Sequence, residues 1–326
     1  MRDHYLDTTK AVLIFLVVFG HFLERMIGWG NPIDHVLLGT IYFVHMPAFI
    51  FISGLFYKDN KWFKNIIFFI ALYIPFQLLF PLFDALWSGK FQFNWHIFER
   101  PYWVLWYLQG MIVWTVLAHF LMKFKHFAVP ISIILCLLVG LSPWNNYQYS
   151  VGRIFTFFPF FMIGVMYGKT LIHKIQQFHK VWILGFIILL MIASLVYFAQ
   201  VKSSWLYGSY SYAQLKVSAV DGTLIRSFYM LISTLGVFAI FALSKTLGSR
   251  WVKLGKNTLP VYLLHGFVVI LIARYLKLSL NIYAEIGICM VLSILTCWLL
   301  QQSFFDNLLR KMSLWLIKPT EKLDIK

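Results

Sequence analysis

The chain has 326 residues, of which 60% are hydrophobic and only 12% charged, about half the charged share of an ordinary soluble domain. A water-soluble fold of this size could not cover so much apolar surface, which excludes a soluble enzyme or binding module. The formal net charge of +16 falls in short basic clusters between apolar runs, the pattern of a membrane topology signal; no nucleic-acid partner is expected.

A membrane span needs about 20 apolar residues. Ten runs qualify, at 8–28, 33–57, 62–83, 103–122, 127–143, 153–169, 181–200, 223–245, 257–276 and 281–303. The expected fold is all-α: a polytopic integral membrane protein of about ten transmembrane helices. The opening MRDHYLDTTK lacks the small-residue site of a cleaved signal, so the first helix is expected to be retained. Nineteen of the 28 Lys and Arg residues fall on one side of this topology, among them Arg2, Lys10, Lys58, Lys61, Lys64, Lys318, Lys322 and Lys326. Nine, including Lys90, fall on the other side or inside spans. The asymmetry puts both termini in the cytoplasm. Residues 1–303 then form the membrane domain, and 304–326 a basic tail resting on the inner leaflet, with membrane lipids as partners.

The first span carries an ordered set of ionisable groups. At 100° per residue, Asp3, Asp7, Lys10, His21 and Glu24 fall within about a third of the helix circumference, with Ile14 and Val17 sharing or bordering that face. Polar groups in a span are costly and face the protein interior or a wet cavity. Lys10 and His21 are about three turns and roughly 16 Å apart along the axis. Glu24, one turn beyond His21, is close enough to meet it.

In the second span, Pro47 follows His45 and Met46, frees a backbone carbonyl and loosens the helix; Ser53 and Gly54 permit close packing. The segment from Pro101 to Gln109, with Trp106, is either an aromatic belt or part of an acceptor site. The outer connections 84–102 and 201–222 hold Trp, Tyr and Phe, which anchor at the interface or line a sugar-binding mouth; anchoring is the commoner use. Arg153 opens the sixth span as an anchor or as a ligand for a carboxylate or phosphate, and Gly164 and Gly168 have helix-packing spacing. Ahead of His265 in the ninth span, Asn257 or Thr258 can cap the helix and Pro260 fits its first turn. Cys136, Cys289 and Cys297 lie in apolar runs without metal or disulfide spacing, so no metal is expected.

Four segments in order, LDTTKAVLIFLVVFGH, FVHMPAFIFISGLF, GRIFTFFPFFMIGVMYGK and LGKNTLPVYLLH, resemble the membrane acyltransferase-3 family, in particular its fucose 4-O-acetylase-like branch. The resemblance covers Tyr5 to about Val269. It implies transfer of an acyl group, most often acetyl, from cytoplasmic acyl-CoA to an acceptor on the outer side, in a bacterial cytoplasmic membrane. The family's motif of a basic residue, a ten-residue gap and a histidine maps onto Lys10 and His21. Many members have Arg at the first position, and Lys keeps the charge without the bidentate geometry. On this reading His21 is the general base and Glu24 orients it. Lys10, Lys61 and Lys64 bind the phosphates of acetyl-CoA. His45, Trp106, Arg153 and His265 bind the acceptor, a glycan or lipid-linked sugar. The rival reading is a transporter or exporter that uses the same buried His and Glu as a proton relay. No internal repeat supports it.

Overall fold

The structure is a computed structural model and describes residues 3–88, 95–144 and 146–317. Arg2, Lys90, Lys318, Lys322 and Lys326, which enter the charge count, lie outside them. The regular secondary structure of the described residues is all helical, without a strand. In chain order the helices are α1 (His4–Met26), α2 (Pro32–Leu55), α3 (Trp62–Ser88), α4 (Trp106–Leu121), α5 (Ala128–Leu138), α6 (Val151–Gln177), α7 (Val181–Ala199), the short α8 (Ser203–Leu206), α9 (Ala219–Ser244), the short α10 (Val252–Lys256), α11 (Thr258–Tyr275), α12 (Ile282–Leu300) and α13 (Ser303–Ile317).

Among the described residues nine segments are long and apolar enough to cross a membrane, and one of them, Trp103–Leu141, has 39 residues. As one straight helix it would run about 58 Å, nearly twice the hydrocarbon core of about 30 Å. It is not straight: the backbone breaks at Lys125 (φ 49°, ψ −122°), between α4 and α5. The indole N–H of Trp114 on α4 donates to the Ile154 carbonyl at 2.7 Å, and the Cys136 thiol on α5 donates to the Thr156 carbonyl at 3.4 Å. Trp114 and Cys136 therefore meet the same turn of α6, so the chain doubles back at Lys125 and this segment supplies two legs. Each of the ten apolar runs corresponds to a helix.

The helix starts follow from local chemistry. Asp3 accepts from the Tyr5 and Leu6 amides at the head of α1, and Asn31 from the Ile33 and Asp34 amides at α2, whose first residue is Pro32. Ser218 and Asn281 cap α9 and α12 in the same way. Such caps satisfy donors that would otherwise be orphaned. At α11 the sequence expectation fails. Asn257 occupies the cap position but makes no capping bond, and its side-chain amide donates instead to the Gln301 carbonyl at 2.7 Å. A long-range partner at the end of α12 outcompetes the local one.

Two contact sets define the ends of the bundle. At one end Thr8 donates to the Gly248 carbonyl, Lys253 to Gln302, Asn257 to Gln301, and Lys245 to the Gln176 and Phe178 carbonyls. The start of α1 and the end of α12 therefore lie together, at the end rich in lysine. At the other end Arg274 pairs with Asp84 at 2.9 Å, and Arg153 donates to Ser209 at 2.6 Å.

α2 and α6 pack backbone against backbone. A Cβ added at Gly54 would strike the Phe161 carbonyl, and one added at Gly164 would strike the Phe51 carbonyl. The two glycines let the backbones touch, the packing role expected of Gly54 beside Ser53 and of Gly164 in its spacing with Gly168. Gly54→Val should therefore force these helices apart, at a cost of about 3 kcal/mol or more. The expected result is loss of monodisperse detergent-solubilised protein or a fall of several degrees in its melting temperature. Gly287→Ala on α12, where nothing lies within 4 Å, is the control and should leave both unchanged. Large apolar side chains are exposed along α7 (Trp182, Phe186, Leu190, Phe198) and α12 (Val291, Ile294, Leu295, Trp298), as helices facing lipid require.

Candidate functional site

A cavity of about 610 Å³ lies at the end opposite the lysines, within the range of small-molecule sites. α1 contributes His21, Glu24 and Arg25 to its wall, α2 contributes Tyr42, His45 and Met46, and α6 contributes Arg153 and Phe157. The connections 84–102 and 201–222 also line it, with Arg100 and Tyr102 from the first, Tyr207 and Ser209 from the second, and Trp103 directly after the first. Their aromatic residues thus serve the mouth of a site, where the sequence favours interfacial anchoring.

The first connection is held in place from inside the bundle. Gln77, fully buried in α3, donates to the carbonyls of Ile97 (2.5 Å) and Arg100 (2.9 Å) and accepts from the Tyr102 amide (2.8 Å). The Tyr262 hydroxyl donates to the Val104 carbonyl at 2.5 Å. A buried amide that satisfies three backbone groups fixes an irregular segment at membrane depth, where water could not. Together these bonds set Trp103 against His21, with ring centroids 4.6 Å apart and the planes at 62°.

His21 sits beside Glu24: Nδ1 is 3.7 Å from Oε2, and the side chains are 15% and 18% exposed. That is an ion-pair distance and longer than a hydrogen bond. The Glu24 carboxylate has its hydrogen bonds elsewhere. Tyr42 donates to Oε2 at 2.6 Å, and Tyr207 donates to Oε1. The Trp29 indole N–H, 2.9 Å from the Tyr207 hydroxyl, also lies 3.4 Å from Oε1. Burial first, and then the neighbouring carboxylate, push the Tyr207 phenol well above its ordinary titration range, so it stays a donor to Glu24 at any physiological pH. Two phenols and an indole therefore hold a carboxylate in one position against one face of an imidazole.

His265 is fully buried, and its ring stacks on His21 with centroids 5.3 Å apart and planes at 18°. Its Nδ1 contacts the Tyr262 carbonyl at 2.7 Å and the Val261 carbonyl at 3.0 Å. Carbonyls only accept, so Nδ1 carries the proton and Nε2 the lone pair. His265 backs His21 and is not part of the cavity wall. His45 Nδ1 donates to the Ile41 carbonyl at 2.7 Å, which fixes the same tautomer. Arg153 reaches Ser209 and lies 5.4 to 5.7 Å from the rings of Trp106, Tyr147 and Tyr207.

Lys10 is at the other end of α1. It pairs with Asp7 at 2.7 Å and lies over the Phe56 ring; Lys61 and Lys64, which follow Phe56 in the chain, are exposed. The polar stripe is not continuous. Ile14 and Val17, on the same face between Lys10 and His21, are buried in the hydrophobic core, and α1 enters the cavity wall only at His21. Two features that local reading passes over complete the site. Arg25 and Arg100 count only as stray charges in the sequence, and Tyr42, Tyr207 and Gln77 carry no motif. Adjacency of Arg25 to Glu24 was the one available signal.

Residues 3–302 match the family model described as an acyltransferase domain. No curated protein matches the chain, and no solved structure does.

Proposed function

The chain belongs to the acyltransferase-3 family, and we propose that this multi-pass membrane acyltransferase moves an acetyl group from acetyl-CoA, bound at the lysine-rich cytoplasmic end, to a hydroxyl of a cell-surface or lipid-linked glycan at the cavity end. Its motifs suggest the fucose 4-O-acetylase-like branch, in a bacterial cytoplasmic membrane with both termini inside. One observation carries the reading: a histidine three turns from a lysine on the same face of α1, set in a cavity wall with a fixed carboxylate beside it.

In this mechanism Lys10 binds a phosphate of the donor, joined by Lys61 and Lys64. Ile14 and Val17 fill the face between, so the scheme requires the thioester arm to reach His21 by a path beside that face of α1. Glu24 faces Nδ1 of His21, which leaves Nε2 for the acceptor. His21 takes the hydroxyl proton as the new O–C bond forms at the thioester carbonyl. The C–S bond then breaks, and the thiolate of CoA recovers the proton from the imidazolium. Glu24 stabilises the imidazolium between these steps. Trp106, His45 and Arg153 position the acceptor, with His265 supporting the catalytic ring.

Sealed vesicles of defined sidedness test this. Labelled acetyl-CoA is expected to support acetylation of extracted surface glycan only when supplied at the lysine-rich face. Lys10→Ala should raise KM for acetyl-CoA about tenfold, the value of one charge-assisted contact, and leave KM for the glycan unchanged. Equal transfer from either face would defeat the reading.

A further inference from the structure

The cavity wall carries three guanidinium groups, from Arg25, Arg100 and Arg153, against a single carboxylate. That carboxylate, Glu24, is already engaged by Tyr42 and Tyr207. None of the ion pairs among the described residues includes any of the three arginines. Glu99, next to Arg100, is not part of the wall, and its carboxylate accepts from Gln148 at 3.4 Å.

The arginines are instead mounted on aromatic faces. Arg25 lies 4.5 Å over the Trp103 ring, and Arg100 3.6 Å over the Tyr147 ring, whose hydroxyl it also contacts. Arg153 lies among three rings and uses its Nε on Ser209. Stacking occupies the face of a guanidinium and leaves its edge N–H groups directed outward in a fixed fork. Converging cations in a low-dielectric concavity focus positive potential on whatever enters. A neutral sugar needs rings and neutral hydrogen-bonding groups and would leave three guanidiniums with Glu24 as the single counter-charge in the wall.

We propose that the acceptor is an anionic saccharide, and that Arg25, Arg100 and Arg153 bind its carboxylate or phosphate while a ring hydroxyl faces His21. The inference rests on the cavity being the acceptor site of the acyltransferase. A carboxylate would come from an acidic sugar, and a phosphate from a phosphorylated or pyrophosphate-linked one; both offer the same planar or trigonal array of oxygens to the guanidinium forks.

The test uses the full-length protein in detergent, without acetyl-CoA, and calorimetric titration with methyl glucuronoside, glucose 1-phosphate and neutral methyl glucoside. At least one charged probe should bind about tenfold or more tightly than the neutral one, since charge-assisted hydrogen bonds carry the difference. The better of the two identifies the source of the anion. The preference should weaken in high salt and fall towards unity in Arg153→Gln. Arg100→Gln, at the exposed rim, tests the same point at a side chain outside the buried core. Equal affinity for charged and neutral probes, or no binding of any, would overturn the proposal. Parallel transfer assays separate the two readings. Selective anion binding without acetyl transfer to any probe or glycan would refute the acyltransfer scheme and leave this inference standing. Equal transfer to neutral and charged probes would do the reverse.

Discussion

His21→Ala is expected to lower acetyl transfer by about 10²- to 10⁴-fold, the usual value of a general base, in a protein that still folds. The side chain makes no hydrogen bond within the bundle. Its losses are the 3.7 Å contact with Glu24, the edge contact with Trp103 and the stack on His265, the two ring contacts together worth about 1–2 kcal/mol. The thermal melt should therefore shift by only a few degrees while kcat collapses. The space vacated lies in the wall of the cavity, so added imidazole should restore part of the rate, which a purely structural defect would not allow. An alanine variant with wild-type kcat would remove His21 from the chemistry altogether.

Glu24→Gln is expected to cut kcat about 100-fold and leave the acceptor KM within a factor of about two. A unit charge near 3.7 Å stabilises a developing imidazolium by at most about 4.5 kcal/mol at an effective dielectric of 20. Access of water to the cavity reduces this, and a 100-fold loss corresponds to about 2.7 kcal/mol. Glutamine keeps an acceptor for Tyr207 and lets the Tyr42 hydroxyl turn, so the fold survives. Glu24→Ala would confuse the measurement, because it strands the donors of Tyr42 and Tyr207 at about 1 kcal/mol or more apiece. An acceptor KM that rises with unchanged kcat in the glutamine variant would make Glu24 a binding residue and not the partner of His21.

The two residues at the centre of these expectations were legible because they are three apart on one helix. Helical geometry alone brings His21 and Glu24 to one face, and the cost of charge in a membrane tells which way that face points. The same geometry overreached with the path from Lys10. Spacing puts Ile14 and Val17 on the polar face but says nothing of how neighbouring helices close over them. Arg25 shows the opposite failure. It stands next to Glu24 in the chain, yet its placement depends on Trp103, far along the sequence, arriving against it.

Sequence by itself determined the solvent, the number of apolar legs and the helix that carries the candidate base, since each depends on composition or on contacts within a few residues. Tertiary structure alone decided what surrounds that base. It folds the two outer connections inward, through the Gln77 and Tyr262 bonds to backbone groups and the Tyr207 bond to Glu24. It also mounts three arginines on rings from distant segments. The reason is physical: a hydrogen bond or a stacked ring between residues far apart in the chain leaves no periodic trace in the sequence, and in a low-dielectric interior such bonds set where irregular backbone can sit.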